Sequence, residues 1–245
     1  MEFGLFTEFH SPPGVTEAAA FDESLAQMKA AEDFGFDAVW LAEIHFQKDR
    51  SVLSAPLIVA SALAACTQRV KIGIAVQVLP LSHPLRLAED VATVDHIRAK
   101  RPARPLPGLQ YSLQREPRPL PRDARHPPQG MDPGPVLTPG EILQFQDVCI
   151  MPKPYQKPHP PIRIAAAAAR EVRANRLAEI SYDEVLGEYA VFGTPEAVAD
   201  RLLALREEMG FSTLSTWMNP GGQIPNERVL KSMRLFAERV APRLA

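Results

Sequence analysis

Val70-Lys71-Ile72-Gly73-Ile74-Ala75-Val76-Gln77-Val78-Leu79 is the stretch on which the fold turns. It is rich in β-branched residues and carries few polar ones. A run of this kind suits a parallel strand covered on both faces better than a half-solvated antiparallel one. Upstream, Leu53 to Cys66 reads as a helix with little polar surface; downstream, Leu85 to Lys100 reads as another. Phe36 to Leu41 is a further strand. Before it, Glu17 to Phe34 places Ala20, Leu25, Met28, Ala31 and Phe34 at helical spacing, with Thr16 as N-cap and Gly35 just past the end. Residues 2–7, EFGLFT, supply the first strand.

Strand and helix thus alternate three times in the first hundred residues, which predicts an α/β protein with a parallel sheet. A closed barrel and an open doubly wound sheet both satisfy the pattern. No GxGxxG follows the first strand, which counts against an open dinucleotide-binding sheet.

Composition narrows the function classes. The chain has 245 residues, with Lys+Arg 27 against Asp+Glu 29 and a net charge of −2. So even a balance argues against nucleic acid or an anionic membrane as main partner. Two cysteines, Cys66 and Cys149, exclude a disulfide scaffold and fit a reducing compartment, so a cytoplasmic location is expected. They and the methionines read as core filling. The N-terminal residues lack the basic region of a signal peptide, and the longest apolar stretches fall well short of the roughly 20 residues that span a membrane. No spacing suggests a metal site, a Ser-His-Asp triad or a Cys-His pair.

Proline is unevenly spread. Eleven of the 25 prolines lie between Arg101 and Gly140. Three parts are therefore expected: βα units over 1–100, a Pro/Arg-rich irregular insert over 101–140, and a globular remainder over 141–245. In that remainder Ile142 to Met151 reads as a short strand or hairpin arm, and Pro152 to Pro161 as an extended segment fixed by its prolines. Ile162 to Ala166 is a strand, Ala167 to Ile180 a helix, and Thr194 to Met209 a helix with Thr194 as cap, Pro195 at N1 and Gly210 closing it. Phe211 to Met218 is a strand leading to the turn Asn219-Pro220-Gly221-Gly222, and Pro225 to Val240 the last helix.

Four stretches together resemble the bacterial-luciferase-like family of flavin-dependent monooxygenases. They are Gly35-Phe36-Asp37-Ala38-Val39-Trp40-Leu41-Ala42-Glu43-Ile44-His45-Phe46, Ile74 to Pro80, His83 to Asp90 running on to Asp95, and Thr216 to Gly222. The resemblance implies a TIM-barrel-like (β/α)₈ fold with its site at the C-terminal ends of the strands. It implies reduced FMN supplied by a separate reductase, O₂, and transfer of one oxygen atom to a small organic substrate; some relatives use a deazaflavin, F420, instead. Family barrels are commonly dimeric, so a homodimer is expected.

Carried over residue by residue, Glu43 and His45 are the candidate catalytic residues on the substrate and oxygen side. Ala75 and Val76 match the pair that lies against the flavin ring, in the luciferase through a non-proline cis peptide. His10, next to strand one, is a candidate substrate-binding residue. The family often has Glu-His-His-Phe after strand two; Ile44 replaces the first histidine here, which puts luciferase-type base chemistry in doubt. Plainer readings stand beside these. A lone histidine after a strand is often structural, Glu89-Asp90 fit a salt-bridged helix face, and Gly221-Gly222 fit a turn, with phosphate binding as the alternative.

The chain is short for such a barrel. Strand four is expected to be replaced by the insert, and strands six and seven have no candidate between Ala166 and Ser212 beyond a short Tyr189–Phe192 run. The insert also reads as a shifted frame. With permitted codons, Leu109 to Pro133 read one nucleotide later yields an amphipathic helix, and Met131-Asp132 must then give Trp. A Pro-rich loop is the alternative. Three functions follow as expectations: a luciferase-like monooxygenase, an inactive frame-damaged remnant, and an F420-linked hydride-transfer enzyme.

Overall fold

A computed structural model describes residues 1–47, 49–99, 110–115, 136–138, 145–166, 181, 184 and 190–245. The first elements are β1 (Glu2–Thr7), α1 (Glu17–Asp33), β2 (Ala38–Leu41), α2 (Pro56–Cys66), β3 (Lys71–Val78) and α3 (Pro84–Ala99). There follow β4 (Gln110–Arg115), β5 (Val136–Thr138), β6 (Phe145–Val148) and β7 (Ile162–Ala166). Helix α4 (Pro195–Met209), β8 (Thr213–Thr216) and α5 (Asn226–Leu235) complete the chain, with α5 continuing as a π turn over Phe236–Val240 and a last turn over Ala241–Leu244.

The helix boundaries follow their capping residues. Thr16 Oγ1 accepts a hydrogen bond from the Ala19 N–H at 3.2 Å, and Gly35 adopts φ +91° just past α1. Thr194 caps α4 through the Ala197 N–H at 3.3 Å, and Gly210 takes the left-handed conformation at its end. Arg86 reaches both Glu89 and Asp90, so those two acids form the salt-bridged face expected of them.

Six parallel strands form one sheet in the order β7-β4-β3-β2-β1-β8. The first and last strands of the chain are neighbours and the others follow chain order, which is the arrangement of a TIM-barrel-like (β/α) fold rather than an open doubly wound sheet. A separate antiparallel pair joins β5 to β6.

The two faces of the sheet differ as strand alternation demands. Phe3, Leu5, Val39, Leu41, Ile72 and Ile74 belong to one buried cluster with helix residues such as Met28, Leu63, Val91, Leu202 and Met233. The other face carries Gly4, Trp40 and Gly73. A Cβ on Gly4 would lie 2.6 Å from Trp40 Nε1, and one on Gly73 would lie 2.3 Å from Trp40 Cε3. The indole therefore occupies the room left by two glycines on adjacent strands.

The fourth strand position, expected to be empty, is filled by Gln110–Arg115 from the insert, paired with β3 on one side and β7 on the other. Its Tyr111 and Leu113 suit a strand; the surrounding prolines hid it. Among the described residues no strand lies between Ala166 and Thr213, and residues 190–192 of the Tyr189–Phe192 run are not strand. The helix expected over Ala167–Ile180 lies outside the described residues. Cys66 and Cys149 are both free and exposed, so they do not fill the core; burial is instead supplied by residues such as Met28 and Met233. Among the described residues no helix is long and apolar enough to cross a membrane.

Candidate active site

The C-terminal ends of β1, β2, β3 and β8 carry the residues singled out above. Just past β2, Glu43 is buried while His45 keeps a fifth of its side chain exposed. Glu43 Oε1 accepts from His45 Nε2 at 2.8 Å. Its second oxygen, Oε2, accepts from the backbone N–H of Val78 at 2.7 Å. One carboxylate thus ties the residue after β2 to the end of β3. Because Nε2 is bound to Glu43, His45 has Nδ1 as its other nitrogen for exchange with a ligand.

The β3 segment beside this bridge is irregular. Ala75 pairs with Ser112 and Gln77 with Leu113, leaving Val76 without a partner across the ladder. Such a bulge re-aims side chains next to a site. The Ala75–Val76 peptide is cis, and both residues are half-buried. Gln77 is buried; its Nε2 approaches Ser82 Oγ at 3.5 Å and its Oε1 has no hydrogen-bond partner. A buried unsatisfied carbonyl costs free energy until a donor meets it. Gln77 was not singled out from sequence, although it is the one uncharged polar residue in Val70–Leu79.

A second feature holds the loop after β2. Glu8, buried just beyond β1, accepts from Arg50 Nε at 2.8 Å and from Nη2 at 2.5 Å. The hydrogen bond to this carboxylate, working against burial, holds Arg50 above arginine's ordinary pKa. Ser51 Oγ donates to the Glu8 carbonyl, Val52 N–H to the Phe9 carbonyl at 3.1 Å, and Ile44 N–H to the Leu53 carbonyl at 3.0 Å. Two aromatic residues, Phe9 (φ +52°) and Phe46 (φ +60°), adopt the left-handed region here. Phe9 is fully buried, whereas Phe46, next to His45, is 98% exposed.

His10 sits apart from Glu43 and His45. Its Nδ1 lies 2.9 Å from the Arg50 carbonyl, its Nε2 3.3 Å from the Gly221 N–H, and its ring stacks on Trp217 with centroids 5.6 Å apart. It lines a crevice with Phe6, Ser24, Gln27, Trp217 and Asn219, so its ring, not its nitrogens, meets that space. The Gly221 and Gly222 N–H groups donate to His10 and to the Asn219 carbonyl; both are engaged within the protein, which favours the turn reading over phosphate binding. Among the described residues no cluster of His, Cys, Asp and Glu is arranged to hold a metal ion.

A family model for luciferase-like monooxygenases matches residues 1–101. Over the same length, the alkanal monooxygenase alpha chain of Photorhabdus laumondii is 34% identical, covering 41% of this chain and 28% of that one. Over residues 1–101 the chain is thus similar to the luciferase-like monooxygenases. A longer match, 27% identical over 191 residues, relates it to an alkanal monooxygenase alpha chain of Photorhabdus luminescens and covers 69% of this chain and 49% of that one. The chain therefore spans between about a quarter and a half of the curated luciferase-like relatives it matches. Solved structures extend the likeness in fold. Monooxygenase RslO1 from Streptomyces bottropensis superposes with a TM-score of 0.81 at 23% identity, covering 100% of both chains. The FMN-bound oxygenating constituent of 3,6-diketocamphane monooxygenase from Pseudomonas putida gives 0.75 at 13%, covering 99% of this chain and 98% of that one. The F420-dependent tetrahydromethanopterin reductase of Methanopyrus kandleri gives 0.66 at 14%, covering 100% and 99%.

Proposed function

We propose that the chain is a flavin-dependent oxidoreductase of the monooxygenase type, taking reduced FMN from a reductase and passing one oxygen atom of O₂ to a small organic substrate. The observation that carries this reading is the Glu43 carboxylate, which fixes His45 against the end of the β3 segment that holds Ala75 and Val76.

Ala75 and Val76 would lie against the flavin ring. Two observations fit such a guest: small side chains at an irregular point of the strand, and the unmet Gln77 carbonyl, an acceptor suited to a ring N–H. When bound, the reduced flavin supplies the electrons that activate O₂. The protein's own part is positioning and proton handling. His45 Nδ1 can take a proton from, or return one to, a reacting group, while the Glu43 carboxylate orients the ring. Ile44 in place of a first histidine leaves His45 as the imidazole of that stretch. With this reading go a cytoplasmic location and a dimeric assembly, the curated relatives being named as alpha and beta chains. A single barrel would be formed by 1–100 and 141–245 together with the strand Gln110–Arg115 that the 101–140 insert contributes.

The test is anaerobic titration of the full chain with reduced FMN. A Kd tighter than about 1 mM, roughly −4 kcal/mol, supports the reading, and His45→Ala should leave that Kd within threefold while abolishing substrate oxygenation. No binding of either cofactor identifies an inactive remnant. The F420-dependent structural neighbour supports a second reading; binding of reduced F420 but not of FMN would decide for hydride transfer.

A further inference from the structure

We infer that His10 is a pH-operated clasp holding the turn 219–222 closed over the end of β1. This goes beyond the flavin reading and is independent of which cofactor, if any, the chain takes.

The inference rests on what each ring nitrogen faces. Nδ1 meets the carbonyl of Arg50, which can only accept, so Nδ1 carries the proton. Nε2 meets the N–H of Gly221, which can only donate, so Nε2 is the bare acceptor. Both partners are backbone groups and neither can reverse its role. The closed clasp therefore requires a neutral imidazole of one tautomer. A second proton on Nε2 would set one N–H against another and remove the acceptor on which the turn hangs.

The turn is anchored on its other sides as well. Gly222 is packed so tightly behind it that a Cβ there would lie 2.4 Å from His10 Cβ and 3.2 Å from Pro12 Cδ. Asn219 clamps the far side, its side chain donating to the Ile224 carbonyl and accepting the Ile224 N–H, both at 3.0 Å. The turn is thus one stiff unit joined to the β1 loop at His10, and its release would widen the crevice flanked by Trp217.

Among the described residues, the charged groups around the ring are these. Glu8 on the β1 side is paired with the Arg50 guanidinium from the loop after β2. On α1, Glu23 lines the same crevice. From the β8 side, residues 217–224 contribute no charge. The interval to search runs from pH 8 to 5.

The experiment follows the Gly221 amide of the ¹⁵N-labelled full chain by NMR hydrogen exchange between pH 8 and 5, corrected for the intrinsic pH dependence of exchange. Exchange about fivefold faster at the acid end is expected, the effect of losing one hydrogen bond of this class. His10→Phe retains a ring against Trp217 but no nitrogen, and should exchange fast at both ends. Gly222→Ala should do the same through steric opening. If circular dichroism finds His10→Phe unfolded, His10→Gln takes its place, with no pH dependence expected. Gly221 exchange that is flat across the interval in the wild type, or an acid opening that survives replacement of His10, would overturn the proposal.

Discussion

Removing the Glu43 carboxylate should separate two roles that sequence alone runs together. Glu43→Ala leaves the half-buried Val78 N–H without its acceptor, and an unmet donor there costs about 1–2 kcal/mol, the lower part of the range for a fully buried one. The His45 contact adds the smaller share, about 0.5–1 kcal/mol, because His45 is partly exposed and water can replace the lost partner. A destabilisation of about 2 kcal/mol is therefore expected. Glu43→Gln retains one carbonyl oxygen, enough for Val78 or His45 but not both, and should cost about 1 kcal/mol. His45→Ala leaves the Val78 bond intact and should cost less than Glu43→Ala. The assay is urea denaturation followed by circular dichroism, with the slope checked for constancy. A double-mutant cycle between Glu43→Gln and His45→Ala should give a coupling of about 0.5–1.5 kcal/mol. A Glu43→Ala variant as stable as wild type, or a coupling of zero, would refute the bridge as the element that fixes His45.

Three further outcomes are expected. Gly73→Ala drives a methyl into the Trp40 ring, 2.3 Å away, and should lower stability by about 1–3 kcal/mol, read as a drop in Tm. Glu32 is half-buried, which alone would raise its pKa, but backbone N–H groups of Arg69, Val70 and Gln68 outweigh burial and bring it below the usual carboxylate range. The unfolded chain then takes up a proton before the folded one. Stability from Glu32 is full above the ordinary carboxylate pKa and is lost as pH falls through the depressed folded value, so Glu32→Gln should flatten the acid limb of a pH–stability curve. Asp95 accepts from the Gln156 N–H at 2.9 Å and from its Nε2 at 2.6 Å, so Asp95→Ala should free the segment around the exposed Tyr155 and make chymotrypsin cleave after Tyr155 sooner.

The alternation of apolar runs made β1 to α3 readable because each element there obeys its own period, and α1 carries its own cap. Thr16, Gly35, Thr194 and Gly210 act as the spacing predicted. The β4 strand was illegible because prolines on both sides outweighed the Tyr111–Leu113 alternation within it. In the site, Glu43, His45, Ala75 and Val76 were found through family resemblance, not period. The Glu8–Arg50 pair and the Val78 amide escaped notice because they join positions 42 and 35 residues apart, a separation no local pattern encodes. The sequence places His10 beside strand one but says nothing of its backbone partners, which the fold brings from residues 50 and 221.

The indole lying across Gly4 and Gly73 sets a floor. Ala75 stands two residues further along the same strand, about 7 Å higher at the usual rise. On the proposed reading, a flavin ring entering from the carboxyl rim would rest above Trp40, at the height of Ala75 and Val76. Widening that floor with a smaller side chain would lower the seat of the guest without altering any group that touches its edge.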